Sequence, residues 1–249
     1  LALEDYLRGV VPSEIGRLAV ADSAAMQAQA VAARSYTWVR LSDPIRRAFD
    51  LGPSTQDQVY GGVSAETEVG NDAIDATRGL VVLWNGKPVD APFYSTCGGS
   101  TADAAEVWNT GVSTYLRRVS DQIGNTPHWY CEGASRFRWA RTLSATQLNG
   151  AIEQYLRNYA SVPASGPGLA RTVNIRNRGP SGRVAAIEIE SDRGVFVVRG
   201  DDIRSVLRVP GGEPLSSTYF SLAPEYDRGG LISSLTLRGQ GYGHGVGMC

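Results

Sequence analysis

Apolar positions recur at helical spacing in five segments of the chain, most of them bounded by residues that begin or end helices. Pro12 is expected to end the first helix, so that Glu14 lies just beyond the helix end. One face of the second helix has small side chains at its start and a bulky one at its end: Ala24, Ala28, Val31, Ser35 and Trp38. Such a face would let another backbone approach closely. The predicted helices span Leu3 to about Val10, Ser23 to about Leu41, Glu66 to Ala76, Ser144 to Tyr155 and Asp201 to Leu207.

Alternating β-branched and polar residues around turn signals predict strands elsewhere. The pair Asn85-Gly86 predicts a hairpin, which would bring CGGSTADAAEVW to the end of a strand. The other predicted strands are TVNIRNRG, VAAIEIES and VFVVRG, which form an antiparallel meander, and about 231–237. A polar loop is expected from Ser42 to Asp57. We therefore predict one α+β domain over 1–249, with antiparallel sheets, a long N-terminal helix and a smaller α+β subdomain at about 142–210.

Composition and charge fit a globular protein and exclude several other classes. Of the 249 residues, 42% are hydrophobic and 20% charged, which excludes disorder, collagen and coiled coils. The 24 basic and 25 acidic residues leave no overall field to attract nucleic acid, which is not expected as a partner. No run approaches the roughly 18 apolar residues of a membrane span. Any signal or anchor segment is expected outside the given sequence.

Glu14 is the first candidate for chemistry. Its neighbours Val10, Val11 and Ile15 are apolar, and the nearest following basic residue is Arg17. Burial in such surroundings would raise the carboxyl pKa toward neutrality, as a general acid requires. The alternative is a solvated glutamate at a helix end.

Two glycine-containing segments are further candidates. In YSTCGGSTADAAEVW, adjacent glycines would let backbone N–H groups approach a ligand, and Trp108 offers a flat face for a sugar ring. Alternatively, Cys97 is structural, or it is a nucleophile that would need His128 or His244. The segment GQGYGHGVGM does not fit a phosphate loop. It forms either a tight turn or a support that presents His244 to a cleft.

The three cysteines leave two arrangements open. Cys97, Cys131 and Cys249 include no CxxC pair, so the sequence only weakly indicates a closed zinc site. Outside the cytoplasm, a disulfide between Cys97 and Cys131 is expected. The other arrangement is a zinc site of the three thiolates with His244. No cofactor is expected, with zinc as the open alternative.

Seven ordered segments resemble the family of stage II sporulation protein D and the amidase enhancer, bacterial cell-wall proteins. The segments are YLRGVVPSEI, AMQAQAVAARSY, QVYGG, AIDATRGLVV, FYSTCGGSTADAAEVW, VRGDDIRSVL and GYGHGVGM, and they extend over nearly the whole chain. The resemblance implies an extracytoplasmic peptidoglycan lytic transglycosylase that cleaves the MurNAc–GlcNAc bond and leaves 1,6-anhydro ends. It places the catalytic glutamate on Glu14, within VPSE. Family sites near the loop and the tail map onto Ser95, Thr96, Gly98, Gly99 and His244.

One carboxyl group is sufficient for this reaction. Glu14 would protonate the glycosidic oxygen and then accept a proton from the C6 hydroxyl of the muramic acid. Asp103 and Glu106 are candidates for stabilising the oxocarbenium-like state. The side chains expected in the substrate groove are Gln27, Arg34, Tyr36, Gln58, Tyr60 and Glu106. Arg34 and Tyr36 could equally anchor the long helix.

The chain departs from the family pattern in two places. Some members carry a His-Cys zinc site beside this loop, but here Phe93, Tyr94 and Ser95 precede Thr96-Cys97, so the expected histidine is missing. Family sequences also continue past GHGVGM with a Gln-containing segment. The expected partner is the peptidoglycan glycan strand. The alternative function is a non-catalytic peptidoglycan-binding protein that stimulates a cell-wall amidase, and a thiol-dependent enzyme that uses Cys97 ranks last.

Overall fold

The fold is α+β, as predicted. A computed structural model describes residues 1–42, 49–108 and 111–249, so part of the polar loop expected from Ser42 to Asp57 lies outside the described residues. The chain divides into two compact units, residues 1–93 with Met248 and residues 94–247 with Cys249. The single domain with a subdomain at about 142–210 stays a prediction, and that segment lies within the second unit.

The first unit is mainly helical. Its elements are α1 (Leu3–Ile15), α2 (Ser23–Leu41), α3 (Glu68–Ala76), β1 (Leu83–Trp84) and β2 (Lys87–Pro88). The three helices pack against one another around a shared core of Leu7, Val10, Val11, Met26, Ala30, Ala33, Ala73 and Ile74. The predicted hairpin is confirmed, because β1 and β2 pair antiparallel around Asn85 and Gly86, both with positive φ.

Helix α1 is longer than predicted. It continues through Pro12 to Ile15 and ends at Gly16, whose φ is 91° and whose N–H donates to the Pro12 carbonyl oxygen. A proline removes one N–H donor from a helix, but α1 continues here with the Pro12 ring buried against Gly70 of α3. The expectation that Glu14 lies beyond the helix end is therefore wrong. Glu14 lies in the last turn of α1.

Helix α2 has the predicted bounds, but the prediction of which of its faces packs closely against the rest of the protein is wrong. Ala24, Ala28 and Trp38 are exposed. Because α1 and α3 both contact α2, a different and wider face is buried. Its buried residues are Met26, Gln29, Ala30, Ala32, Ala33, Arg34, Ser35, Tyr36 and Thr37. Helix α3 begins two residues later than predicted, because the Thr67 hydroxyl caps it by accepting the Gly70 N–H at 3.1 Å.

The second unit contains two three-stranded antiparallel sheets. Its elements are α4 (Ala104–Val107), β3 (Arg138–Ser144), α5 (Ala145–Tyr155), β4 (Ala170–Arg178), β5 (Val184–Ser191), β6 (Gly194–Arg199), α6 (Asp202–Val206), β7 (Phe220–Tyr226) and β8 (Ile232–Gln240). The predicted meander is confirmed as the sheet β4-β5-β6, and the other sheet has the order β3-β8-β7. Within this unit, α5 and both sheets enclose a core that includes Leu143, Leu148, Ile152, Ile187, Ile189, Val198, Leu235 and Leu237.

Strands β3 and β7 were not predicted. The sequence of β3, RWARTLS, contains two arginines, and only Leu143 in it is fully buried. The sequence of β7, FSLAPEY, contains Pro224, which weakens a strand signal. Both strands lie at the edges of their sheet, where a polar face and a proline are tolerated. Among the described residues, no helix combines the length and the apolar character that crossing a membrane would require.

Candidate functional site

Glu14 is a half-buried carboxyl group that accepts a hydrogen bond from the loop after residue 57. Its Oε1 accepts the backbone N–H of Val59 at 2.5 Å, and no described residue forms an ion pair with it. Burial raises the pKa of Glu14, and the bond from Val59 only partly opposes this effect. The side chain therefore has the desolvated character that its apolar neighbours predict, and it can hold a proton closer to neutral pH than an ordinary glutamate.

The loop that contains Val59 is held closely against α1. The Gly61 N–H donates to the Gly9 carbonyl oxygen at 3.0 Å. The ring of Tyr60 lies over Gly9, where a Cβ atom would be 2.5 Å from Cε2 of the ring. Tyr60 also stacks on Tyr6 of α1, with ring centroids 5.4 Å apart. The lack of a side chain at Gly9 thus lets the loop place a backbone donor beside Glu14.

Gln58 supports the same loop from within the first unit. It is fully buried, and its Nε2 donates to the Ala33 carbonyl oxygen at 3.2 Å. Its Oε1 accepts the hydroxyls of Thr37 at 2.9 Å and Tyr6 at 3.3 Å. These contacts indicate that Gln58, predicted as a groove residue, positions the neighbouring Val59 N–H.

Tyr36 belongs to a charged cluster behind the loop. Its hydroxyl donates to Asp57 Oδ1 at 3.3 Å, and the Arg40 guanidinium lies 3.2 Å from the centre of its ring. Arg40 also forms an ion pair with Asp90 at 2.8 Å. Burial raises the pKa of Tyr36, and likewise that of Tyr6, to about 12, so both hydroxyls stay protonated at neutral pH. Sequence reasoning missed Asp57, although its position directly before Gln58 was an available signal.

Arg34 anchors α2 to its neighbours. Its side chain is 1% exposed and binds both carboxylate oxygens of Glu4 at 2.9 and 2.8 Å. It also donates to the carbonyl oxygens of Leu80 at 3.1 Å and Ile74 at 3.3 Å. Of the two roles left open for Arg34, these contacts favour the anchor. Gln27 is half-buried in α2.

The second unit holds the other predicted contact residues. The expectation that the Cys97 segment follows a regular strand is wrong, because Thr96 forms only a single bridge with Tyr242 of the glycine-rich tail. The two residues exchange backbone hydrogen bonds of 3.1 and 2.8 Å. Ser95 is exposed, and its hydroxyl lies 3.0 Å from that of the buried Thr96. The loop and the tail therefore pack backbone against backbone.

Gly98 makes this close packing possible. Its φ is 73°, and a Cβ atom would lie 2.8 Å from the Gln240 carbonyl carbon and the Gly241 nitrogen. Gly99 also has a positive φ, 113°, and lies against the indole of Trp129. Both glycines are needed for the conformation of the loop, whatever ligand it binds.

We expect Gly98→Ala to destabilise the protein more than Gly211→Ala does. Gly211 has a similar φ of 71° but no atom within 4 Å of its Cβ position, so this control isolates the backbone strain. The strain costs about 1–3 kcal/mol, and only Gly98 adds a clash with backbone atoms. Urea unfolding of both variants measures the difference, and equal losses would contradict the packing described here.

Glu106 and Asp103 both have partners within the second unit. Glu106 Oε2 accepts the backbone N–H of Ser181 at 3.1 Å and its hydroxyl at 2.6 Å. Asp103 Oδ1 accepts the Arg118 N–H at 2.5 Å and lies 3.3 Å from Arg117 Nε. These contacts give both carboxylates a structural role, and their assistance in catalysis stays a prediction.

His244 lies among aromatic rings. Its ring centroid is 5.2 Å from that of Tyr94 and 5.2 Å from that of Trp108. Its Nδ1 accepts the Val246 N–H at 3.1 Å, which identifies Nε2 as the protonated nitrogen of the neutral ring. The exposed Trp108 beside it offers the flat apolar face that sequence reasoning singled out.

The three cysteines meet in the second unit. Their sulfur atoms all lie within 4.8 Å of one another, and the pair expected to form a disulfide, Cys97 and Cys131, has its sulfurs 3.3 Å apart and unbonded. Among the described residues, His244 does not belong to this group of potential ligands. The four-ligand set that includes His244 is therefore not assembled.

Comparisons with known proteins agree with the ordered motifs. The model of the family described as "Stage II sporulation protein" matches residues 1–84, and one described as a domain of unknown function matches residues 128–247. Stage II sporulation protein D of Bacillus amyloliquefaciens is 30% identical over 264 residues, which cover the whole chain and 66% of that protein. An uncharacterized protein of Brachyspira hyodysenteriae is 29% identical over 250 residues, covering 100% and 59%.

A third relative is the amidase enhancer of Bacillus subtilis, which is 26% identical over 272 residues, covering 97% of the chain and 36% of that protein. The chain thus spans less than two thirds of the length of these relatives. It belongs to the family of stage II sporulation protein D and the amidase enhancer.

Proposed function

We propose that the chain is a lytic transglycosylase that acts outside the cytoplasm on the glycan strands of peptidoglycan. The observation that carries the proposal is the state of Glu14, a half-buried carboxyl whose pKa is raised by burial and which has no basic partner among the described residues. Glu14 also falls within the part of the chain that the stage II sporulation protein family matches. An acid of this kind can hold a proton for a leaving group at physiological pH.

The reaction needs only this one carboxyl from the protein. Glu14 donates its proton to the oxygen that links MurNAc to GlcNAc, and the bond from C1 to that oxygen breaks. The C6 hydroxyl of the same MurNAc then attacks C1 and returns its proton to Glu14. The product carries a 1,6-anhydro ring, no water is consumed, and Glu14 ends protonated as it began.

The proposal also assigns roles to the residues near Glu14 and to the predicted contact residues of the second unit. The Val59 N–H orients the carboxylate when it acts as a base, because it donates to Oε1. Tyr60, stacked on Tyr6, offers a ring against which a sugar can pack. In the second unit, Ser95, Trp108 and His244 present a hydroxyl and two rings that suit glycan binding.

The alternative is a peptidoglycan-binding protein that stimulates a cell-wall amidase without cleaving glycan. It is favoured by the similarity to a relative named for enhancing an amidase. In this case the aromatic and hydroxyl groups bind sugar, and Glu14 has no chemical task. The two functions share a ligand but differ in whether the glycan chain is shortened.

Mass spectrometry of soluble products tests the proposal. The wild-type chain is incubated with intact peptidoglycan and with glycan strands from which the stem peptides have been removed. We expect fragments with 1,6-anhydroMurNAc ends from at least one substrate. Fragments with ordinary reducing ends would contradict the proposed attack by the C6 hydroxyl, because they indicate hydrolysis by water. No fragments, together with faster peptide release by an added amidase, would support the alternative.

A further inference from the structure

An open groove lies on the exposed side of the sheet β3-β8-β7 in the second unit. Its volume is about 740 Å³. Residues that pair across antiparallel strands point to the same side of a sheet, as do alternate residues of one strand. The register pairs Arg138 with Gln240, and it pairs Arg238 with Ala140 in β3 and with Ser221 in β7. These side chains therefore share one side, where the small Ala140 and Ser221 leave space beside the two arginines.

The groove has an excess of positive charge. Arg138, Arg178 and Arg238 line it, and none of its described lining residues is acidic. Among the residues that the structure describes, no acid forms an ion pair with any of the three. The pKa of Glu132 is lowered mainly by its hydrogen bond with His128 and least by the charge of Arg138, so this acid does not neutralise the groove. Charge complementarity therefore favours an anionic ligand.

Arg178 is held in position at the wall of the groove. Its Nη1 donates to the Gly182 carbonyl oxygen at 2.8 Å, and its Nη2 donates to the Phe220 carbonyl oxygen at 2.8 Å. Each of these nitrogen atoms carries a second hydrogen. The guanidinium is therefore ordered by the backbone and still has donors for a ligand, so that little side-chain entropy is lost when an anion binds.

The spacing of the arginines favours a ligand with more than one negative group in a short length. Arg138 and Arg238 are diagonal neighbours on adjacent strands, a relation that places Cβ atoms about 7–8 Å apart. Guanidinium groups bind carboxylates through paired hydrogen bonds. A stem peptide of peptidoglycan carries two or more carboxylates within a few residues. A glycan strand without peptides carries one carboxylate, on the lactyl group of MurNAc, in each disaccharide.

We propose that this groove binds the acidic stem peptide of peptidoglycan through Arg138, Arg178 and Arg238. The inference rests on the proposed function, because it takes peptidoglycan as the ligand of the chain, but it requires no step by Glu14. The groove gives the second unit a preference for glycan that keeps its peptides. The carboxylates of the peptide replace the acidic partners that these arginines lack among the described residues.

Isothermal titration calorimetry with two soluble probes tests the proposal. One probe is GlcNAc–MurNAc that carries a tetrapeptide with free carboxylates, and the other is GlcNAc–MurNAc without a peptide. Neither contains the MurNAc–GlcNAc bond that Glu14 would cleave, so binding is measured whether or not the proposed reaction occurs. We expect the wild type to bind the peptide-bearing probe about 10-fold or more tightly than the other. Added salt should weaken this binding, because it screens exposed charges.

The double variant Arg138→Gln/Arg238→Gln should bind the peptide-bearing probe about 10-fold or more weakly than wild type, because it lacks two charged donors. Both side chains are exposed, so the circular dichroism spectrum should be unchanged. The matched control is Arg171→Gln/Arg228→Gln, which removes two positive charges from exposed positions outside the groove. Its affinity should stay within about two-fold of wild type.

Three results would overturn the proposal. The first is equal affinity in the double variant and its control, which would show that the groove arginines do not contact the peptide. The second is a wild-type chain that binds neither probe, or that binds the peptide-free probe as tightly. The third is undiminished binding of a peptide whose carboxylates have been converted to amides.

Discussion

Glu14→Gln should lower the rate of glycan cleavage by about 10²- to 10⁴-fold, the usual contribution of a general acid. Glutamine keeps the size of the side chain, and its Oε1 can still accept the Val59 N–H, but it has no proton to donate to the glycosidic oxygen. Pelleting with insoluble peptidoglycan should therefore be unchanged, while 1,6-anhydro products disappear from the mass spectra.

Asp5→Asn is the matched control. Asp5 lies in the first turn of the same helix and is exposed, so its loss removes one negative charge from α1 without touching the loop at Val59. Its cleavage rate should stay within about two-fold of wild type, since exposed substitutions away from a site have small effects. If Glu14→Gln cleaves as fast as Asp5→Asn, Glu14 is not the acid.

The raised pKa of Glu14 also predicts how kcat/KM and the stability of the folded protein depend on pH. The acid must be protonated in the free enzyme, so kcat/KM should fall as pH rises through a value above the ordinary glutamate pKa of about 4.3. Because burial raises the folded-state pKa, the folded state binds the proton more tightly than the unfolded state. The contribution of Glu14 to stability is therefore present at low pH and lost as pH rises through the folded pKa.

The stability effect has a direct measurement. Glu14→Gln should unfold at a higher temperature than wild type at pH 7, and the difference should shrink as pH falls below the ordinary glutamate pKa. Thermal unfolding at several pH values follows this change. A variant that is less stable than wild type at pH 7 would show that the charged carboxylate is well solvated or stabilised.

Arg34→Ala should lower the free energy of unfolding by about 3–5 kcal/mol, because it leaves Glu4 without its cation in a largely buried position. The guanidinium is 1% exposed, and besides Glu4 it satisfies the carbonyl oxygens of Leu80 and Ile74. The alanine variant loses all of these bonds and leaves a cavity between α1, α2 and the segment after α3. Urea unfolding measures the loss.

Arg8→Ala is the control for Arg34. Arg8 also pairs with an acid from another helix, Asp75, at 3.0 Å, but both side chains are partly exposed. Such a pair contributes about 0–1 kcal/mol. A similar small loss in Arg34→Ala, combined with weaker binding to peptidoglycan, would instead support the groove role that the sequence left open for Arg34.

The predictions of secondary structure were correct where the residues that determine an element lie close together in the sequence. The N-cap of α5 was predictable, because Ser144 and Gln147 exchange hydrogen bonds within one turn of the chain. The turn at Asn85-Gly86 was predictable for the same reason. The end of α1 was not, because the contact between Pro12 and Gly70 that accompanies its continuation joins residues far apart in the sequence.

The same distinction between nearby and distant residues applies to the candidate site. The apolar neighbours of Glu14 predicted a desolvated carboxyl, and the structure has one. The hydrogen-bond donor that it has among the described residues, the Val59 N–H, has no sequence signal, since every residue except proline carries the same group. The burial of Gln58 was equally hidden, because a glutamine is usually exposed unless a tertiary contact satisfies both its donor and its acceptor.

The sequence by itself determined the fold class, the meander of β4, β5 and β6, the family, and Glu14 as the carboxyl to examine. These follow from local periodicity, turn residues and ordered motifs. The tertiary structure alone decided which face of α2 is buried, that Arg34 anchors helices, and that Cys97, Cys131 and Cys249 meet while His244 packs against rings. Those outcomes depend on contacts between residues far apart in the chain, and a pattern read along one segment contains no information about the partner that folding brings to it.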